Sequence, residues 1–220
     1  MIVRYEDLKT RFAQGANQKL AQQMAAYMRN QFEFYGYQSA ARRRLYHQDL
    51  LTERRNGRID WQLLDQAWAD PHREMQYFVC DYLWKMEKFL TLADLPRIEP
   101  YLRTKQWWDT IDSLIKPLGK LGLREPAVDA VMLRWSLDHD QWMRRVAIEH
   151  QLLRKEQMNI NLLAEIIENN LDRKEFFINK AIGWALRDYS KTNPRWVRQF
   201  IQTHQEGLSA LSIREANKYL

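Results

Sequence analysis

A chain of 220 residues that is 45% hydrophobic, with only seven glycines and six prolines, has the apolar material for a continuous core and is not a disordered tail. Thirty-four Lys and Arg against 28 Asp and Glu leave a net charge of +6. That excess attracts polyanions, whether nucleic acid, a ribosome or a membrane surface, without choosing among them.

Helical spacing of apolar residues runs from end to end, and period-two alternation over strand lengths is missing, so an all-α protein is expected. The N-terminal MIVRYEDLKTRF meets charged residues before an apolar stretch of signal-peptide length can form, and no run of about eighteen or more apolar residues follows. A cytoplasmic protein with no membrane partner is expected.

The spacing predicts helices over 5–13, 17–34, 38–54, 60–69, 72–90, 95–103, 106–121, 126–136, 140–155, 160–170, 174–191, 194–204 and 209–219. The dipeptides Asn56-Gly57, Asp70-Pro71, Leu95-Pro96 and Asn193-Pro194 punctuate them. The basic runs ARRRL (41–45) and TERRNGR (52–58) flank a helix carrying His47 and Gln48; such runs serve as solvated faces or as phosphate tracks. Cys80, the single cysteine, excludes an internal disulfide and a cysteine zinc cluster, and within CDYLWKM it has the setting of a small buried apolar residue.

Helices this short cannot each bury an apolar stripe alone, which directs attention to repeats. Asp70, Thr104, Asp138 and Asp172 stand 34 residues apart, each placed to cap a following helix, with Glu74, Trp108, Trp142 and Phe176 four residues later. This spacing predicts an α-solenoid of HEAT or tetratricopeptide type in one domain, 1–220, whose second helices line a concave surface. Asp112, Arg145 and Trp184 follow their caps by eight, seven and twelve residues and so fall on three neighbouring helices. Chance placement on a generic solenoid gives the same pattern.

In KQWWDTIDSL, Trp107, Ile111, Leu114 and Ile115 form an apolar stripe, while Trp108 and Asp112 pair at i,i+4 along its edge. Asp112 is expected to be half-sheltered and Asp109 to turn more toward solvent. In the plainer alternative both tryptophans are core and Asp112 pairs with a nearby arginine. In HDQWMRRVAIEHQLLRK, Arg145 sits at a core boundary and needs a fixed anion, either a structural carboxylate or a phosphate. Gly183 interrupts a strong helix beside Trp184, at a cost of about 1 kcal/mol relative to Ala unless another backbone or a ligand approaches closely. No phosphate-cradling glycine spacing, Ser-His-Asp constellation or metal-ligand spacing occurs; the run Asp138-His139-Asp140 lacks i,i+4 geometry.

The segments MAAYMRNQFEFYGYQSAARR, KQWWDTID, WMRRVAI, KEFFINKAIGWALRDYSKTNP and LSIREANK together resemble the DNA alkylation repair enzyme family, the AlkD-type glycosylases built from HEAT-like repeats. The resemblance implies a concave, basic, DNA-binding surface and excision of cationic alkylated purines such as 3-methyladenine and 7-methylguanine from double-stranded DNA. It implies no cofactor, no metal, no closed base-flipping pocket, and action as a monomer. It makes Asp112 the catalytic aspartate, Trp108 and Trp184 the sugar-contacting tryptophans, and Arg145 the phosphate-gripping arginine. Tyr27 and Gln38 resemble groove residues, with Arg43, Lys180 and Arg187 as further DNA-binding cations. Retention of the four principal positions favours an active enzyme over the alternatives, a non-catalytic HEAT-repeat protein binding bent or branched DNA, or a protein-protein adaptor. The sequence stops at Leu220, the last residue of LSIREANKYL, where some relatives are expected to continue, which bears on terminal DNA contacts and not on the central site.

Overall fold

A computed structural model describes residues 4–220. Among these the chain is all-helical: thirteen α-helices, four short 3₁₀ turns and, in place of any strand, one isolated bridge between Glu33 and His72. Among the described residues no helix is long and apolar enough to cross a membrane. The chain divides into two compact units, Met1–Leu90 and Thr91–Leu220.

The first unit contains α1 (Tyr5–Gln14), α2 (Gln18–Tyr27), α3 (Ser39–Asn56), α4 (Trp61–Ala69) and α5 (Arg73–Lys85). Its core gathers Leu8, Phe12, Tyr46, Leu64, Met75, Phe78 and Tyr82, all shut off from solvent. The expected helix over 17–34 ends at Tyr27, because Arg29 and Asn30 turn left-handed (φ 56° and 55°), a conformation that asparagine tolerates and a helix does not. The aromatic run that follows is extended and buried. The backbone N–H groups of Tyr35, Gly36 and Tyr37 all donate to the enclosed Glu74 carboxylate at 2.8–3.1 Å, and Tyr35 stacks on Phe12 and His72. Cys80 is buried on α5.

The second unit contains α6 (Leu95–Arg103), α7 (Trp108–Arg124), α8 (Val128–Trp135), α9 (Gln141–Glu149), α10 (Ile160–Glu168), α11 (Phe176–Ser190), α12 (Pro194–Thr203) and α13 (Ala210–Ala216). Helices α7, α9, α11 and α13 pack in succession, α8 and α10 cover α9, and α12 covers α11. Asn193 caps α12 with Pro194 in the first turn, as the Asn-Pro dipeptide predicts. Helix α9 ends at Glu149, short of the expected 155: beyond it the backbone bonds tighten to three-residue turns, Leu152 N–H to Glu149 and Arg154 N–H to Gln151, and Leu153 and Lys155 adopt positive φ.

The repeat is present in the helix starts: α5, α7, α9 and α11 begin at Arg73, Trp108, Gln141 and Phe176. The capping assignments need correction. The N-cap positions are His72, Trp107, Asp140 and Glu175, two or three residues beyond the four polar positions singled out from the sequence. Those four have other tasks: Asp70 accepts from Tyr5 and His72, Thr104 donates to the Pro100 carbonyl, Asp138 binds Arg103, and Asp172 sits in a left-handed turn.

Gly183 has the reason that its helical position demands. A Cβ there would stand 2.6 Å from Cβ of Glu215 and 3.0 Å from the carbonyl oxygen of Ser212, so its bareness lets α13 lie against α11. Gly183→Ala gains helix propensity of about 1 kcal/mol and loses about 1–3 kcal/mol to overpacking, so a net fall in melting temperature is expected. A rise on thermal unfolding would mean that α13 yields at little cost.

Candidate functional site

Three helices of the second unit that pack in succession, α7, α9 and α11, carry Trp108, Asp112, Arg145 and Trp184. Trp142, Trp107 and Phe177 form an aromatic cluster with ring centroids 4.8–5.8 Å apart, tying together the N-terminal ends of α7, α9 and α11. About one turn into each helix the side chains become polar. Asp112 projects from α7 and Arg145 from α9.

The guanidinium of Arg145 donates through Nε to Asp112 Oδ1 at 2.8 Å and through Nη2 to Asp112 Oδ2 at 2.9 Å, a two-point fork. Its Nη1 donates to the backbone carbonyl of Phe177 at 2.8 Å. Glu149, one turn further along α9, brings Oε1 within 2.9 Å of the same Nη2. Burial differs sharply across this group: Arg145 is 1% exposed, whereas the Asp112 side chain retains 22%. The arginine is therefore a buried brace, and the carboxylate is the half that faces out.

The sequence left the anionic partner of Arg145 open between a carboxylate and a phosphate, and the structure supplies a carboxylate. Arg144 turns elsewhere, to Glu175 and the Asp138 carbonyl. The expected contrast between the two aspartates of α7 is reversed: Asp109 is only 9% exposed, so it is the more enclosed of the pair. Trp108, half-buried in the first turn of α7, precedes Asp112 by four residues and shares its side of the helix.

Trp184 on α11 is half-buried among cations. The Arg145 guanidinium lies 5.4 Å from its ring centre, and Lys180 Nζ and the Arg187 guanidinium each lie 5.8 Å away. These last two are fixed from the other side by Glu215 of α13, which accepts from Lys180 at 2.8 Å, Arg187 at 2.9 Å and Lys218 at 2.8 Å. The hydrogen bonds from Lys180 and Lys218 pull the Glu215 carboxyl down to about 2, so it stays ionised throughout the neutral range.

The remaining predicted residues belong to the first unit. Tyr27, the last residue of α2, is 73% exposed. Gln38 is the exposed N-cap of α3 and makes no capping bond with its side chain. Arg43 reaches Asp81 at 3.3 Å but keeps 60% of its side chain in solvent, unlike its buried neighbour Arg42, which is bonded to Asp81 and Tyr46. The basic run 41–45 thus divides between a structural arginine and exposed ones.

Two residues of the site escaped the sequence reading. Glu149 could have been found from its i,i+4 spacing to Arg145, and Glu215 from its place in LSIREANK. In the acidic run, Asp138 is held by Arg103 at 2.7 Å and Asp140 caps α9, so both have structural tasks.

Comparison with known proteins follows this geometry. A protein described as the predicted DNA alkylation repair enzyme from Enterococcus faecalis is 33% identical, with a TM-score of 0.85 over 93% of this chain and 96% of that one. The smu.31 protein from Streptococcus mutans is 17% identical, with a TM-score of 0.61 over 79% and 90%. The Pseudomonas fluorescens alkylpurine DNA glycosylase AlkC is 18% identical, with a TM-score of 0.59 over 97% of this chain and 61% of the other. These last two share the fold. No curated protein sequence matches. The profile of the DNA alkylation repair enzyme family matches residues 8–220, and the chain belongs to that family.

Proposed function

We propose that this protein is a DNA glycosylase that hydrolyses the N-glycosidic bond of cationic alkylated purines in duplex DNA, working from an open helical face and not from a closed base pocket. The observation that carries this is the part-exposed Asp112 carboxylate, braced by the buried Arg145, whose guanidinium lies against Trp184. A purine methylated at N3 or N7 carries a formal positive charge and leaves without a general acid. The catalyst must therefore act on the sugar.

As the C1′–N bond breaks, its electron pair moves to the purine, which becomes neutral, and positive charge develops on the deoxyribose. A fixed carboxylate stabilises that charge and orients a water, which adds to C1′ and gives up a proton. Indole faces at Trp108 and Trp184 present negative quadrupoles to the same cation, worth roughly 0.5–2 kcal/mol each. Lys180, Arg187, Arg43, Tyr27 and Gln38 are assigned to the DNA backbone and groove. The complex of the structurally similar AlkC with DNA containing an abasic site analog supports DNA as the partner.

Arg145 takes a different part from that expected of a phosphate grip. With its donors directed at Asp112 and the Phe177 carbonyl, it acts by holding the carboxylate. Arg145→Lys keeps the charge and loses the fork, so excision is expected to fall while duplex affinity changes little. A parallel fall of both would restore the phosphate assignment.

The deciding assay is release of 7-methylguanine from methylated duplex DNA by the purified protein under single-turnover conditions. Asp112→Asn keeps shape and removes charge, and a loss of about a hundredfold or more is expected with duplex binding retained, while the melting temperature falls because the buried Arg145 loses an ionised partner. Glu165→Gln, on an exposed position of α10, is the control that should match wild type. Wild-type protein that binds duplex without releasing base would favour the non-catalytic alternative.

Phosphate contacts should dominate affinity, given the +6 charge and the exposed arginines of α3. Duplex binding is expected to weaken about tenfold or more between low and physiological salt. A flat salt profile would count against nucleic acid as the partner.

A further inference from the structure

Glu149 is the group that the mechanism above leaves without a task. Its side chain is wholly enclosed, at the end of α9, in contact with the Asp112–Arg145 fork. Two carboxylates here share one cation. Arg145 gives its aligned bonds to Asp112, whereas Glu149 meets Nη2 at 2.9 Å with neither of its oxygens accepting an aligned hydrogen bond.

A buried carboxylate that accepts nothing is among the costliest arrangements a protein can hold. A buried carboxylic acid is different, because its O–H can donate, and Asp112 Oδ2 meets the same Arg145 Nη2, at the same 2.9 Å, as Glu149 Oε1. Of the other charged groups on helices packed against α9, Asp109 is buried in the first turn of α7, and Asp188 of α11 accepts from the Leu153 N–H. Arg103 of α6 is held by Glu99 and Asp138, Asp129 of α8 by Asn159, and Lys180 and Arg187 of α11 by Glu215. Arg97 of α6, Arg134 of α8, Glu165 and Glu168 of α10, and Lys116 and Lys120 of α7 are exposed.

We propose that Glu149 is a positioning residue for Asp112 and acts as the neutral acid, donating its proton in a hydrogen bond to the Asp112 carboxylate while Arg145 braces that carboxylate from the other side. Asp112 is then held at both flanks, with a single negative charge on the acid pair. The acid form agrees with the balance of forces on Glu149: burial pushes its carboxyl well above the ordinary 4.5, Arg145 opposes, and Asp112 adds to the rise. The positioning role rests on Asp112 being the working carboxylate, but the protonation state does not.

Two measurements test the proton without any excision. Infrared spectra at neutral pH should contain the carbonyl stretch of an un-ionised carboxylic acid that disappears in Glu149→Gln; taking the difference removes any contribution from Glu53, another buried carboxyl raised chiefly by burial. Thermal unfolding supplies the sign. An acid that holds its proton more tightly when folded makes stability fall as pH rises from 4.5 through its raised value, so wild type should lose stability relative to Glu149→Gln over that window. No band, or a wild type that gains relative stability with pH, would overturn the neutral acid.

Positioning is read from excision. Glu149→Gln retains a donor and should remain within a few-fold of wild type, whereas Glu149→Leu fills the space without donating and should fall about tenfold or more. Equal activity of the two variants, or loss in Glu149→Gln equal to that in Asp112→Asn, overturns the positioning role. If wild type itself releases no base, the infrared and unfolding results still decide the proton, and the failure then belongs to the glycosylase assignment.

Discussion

The arrangement of the second unit turns on one buried cation. Arg145 has almost no access to water, and a guanidinium in that position must find acceptors on every side. It finds them on two neighbouring helices, Asp112 on α7 and the Phe177 carbonyl on α11, and lies against Glu149 of its own helix α9. The spacing of those helices is therefore set in part by the reach of one planar fork. The aromatic cluster of Trp107, Trp142 and Phe177 lies about a turn away and holds the same helices by dispersion and area burial. Apolar packing sets the distance there, and the fork sets the orientation.

From this follows a division between what is exposed and what supports it. Asp112 and Trp184 are part-exposed on helix faces, while the groups that fix them, Arg145, Glu149 and Glu215, are buried. A chemistry that acts on a large polyanion from outside needs such an order, because the reactive groups must reach out and still not wander. Gly183 belongs to the supporting layer as well, since its missing side chain admits α13 and with it the Glu215 carboxylate.

Much of this was legible in the sequence, for physical reasons that differ by element. Helices with one apolar face and clear punctuation, such as 95–103 and 194–203, are recovered closely because pattern and cap agree. The 34-residue recurrence was legible, but its caps were not, since polar residues two or three positions too early serve as well for Tyr5 or Arg103 as for a helix end. Residues 28–34 carry a helical pattern without forming a helix, because the break comes from two left-handed residues, Arg29 and Asn30, and not from glycine or proline. At the site, motif spacing located Asp112, Arg145 and Trp184. It did not settle what Arg145 binds, because a buried fork and a surface fork have the same sequence. Asp109 and Asp112 were ranked in the wrong order for a related reason: burial at the first turn of α7 depends on the neighbouring helices.

The Glu215 cluster has a consequence for how this surface meets a charged partner. Lys180, Arg187 and Lys218 are long, flexible side chains that would ordinarily sample many rotamers in solvent. Their anchoring to one carboxylate means that their disorder has already been surrendered when the domain folds. A polyanion arriving at Trp184 encounters cations held in register, so association there removes little further side-chain freedom. The same carboxylate also dilutes their attraction, leaving three positive charges opposed by one negative. The surface is thereby arranged for orientation more than for grip.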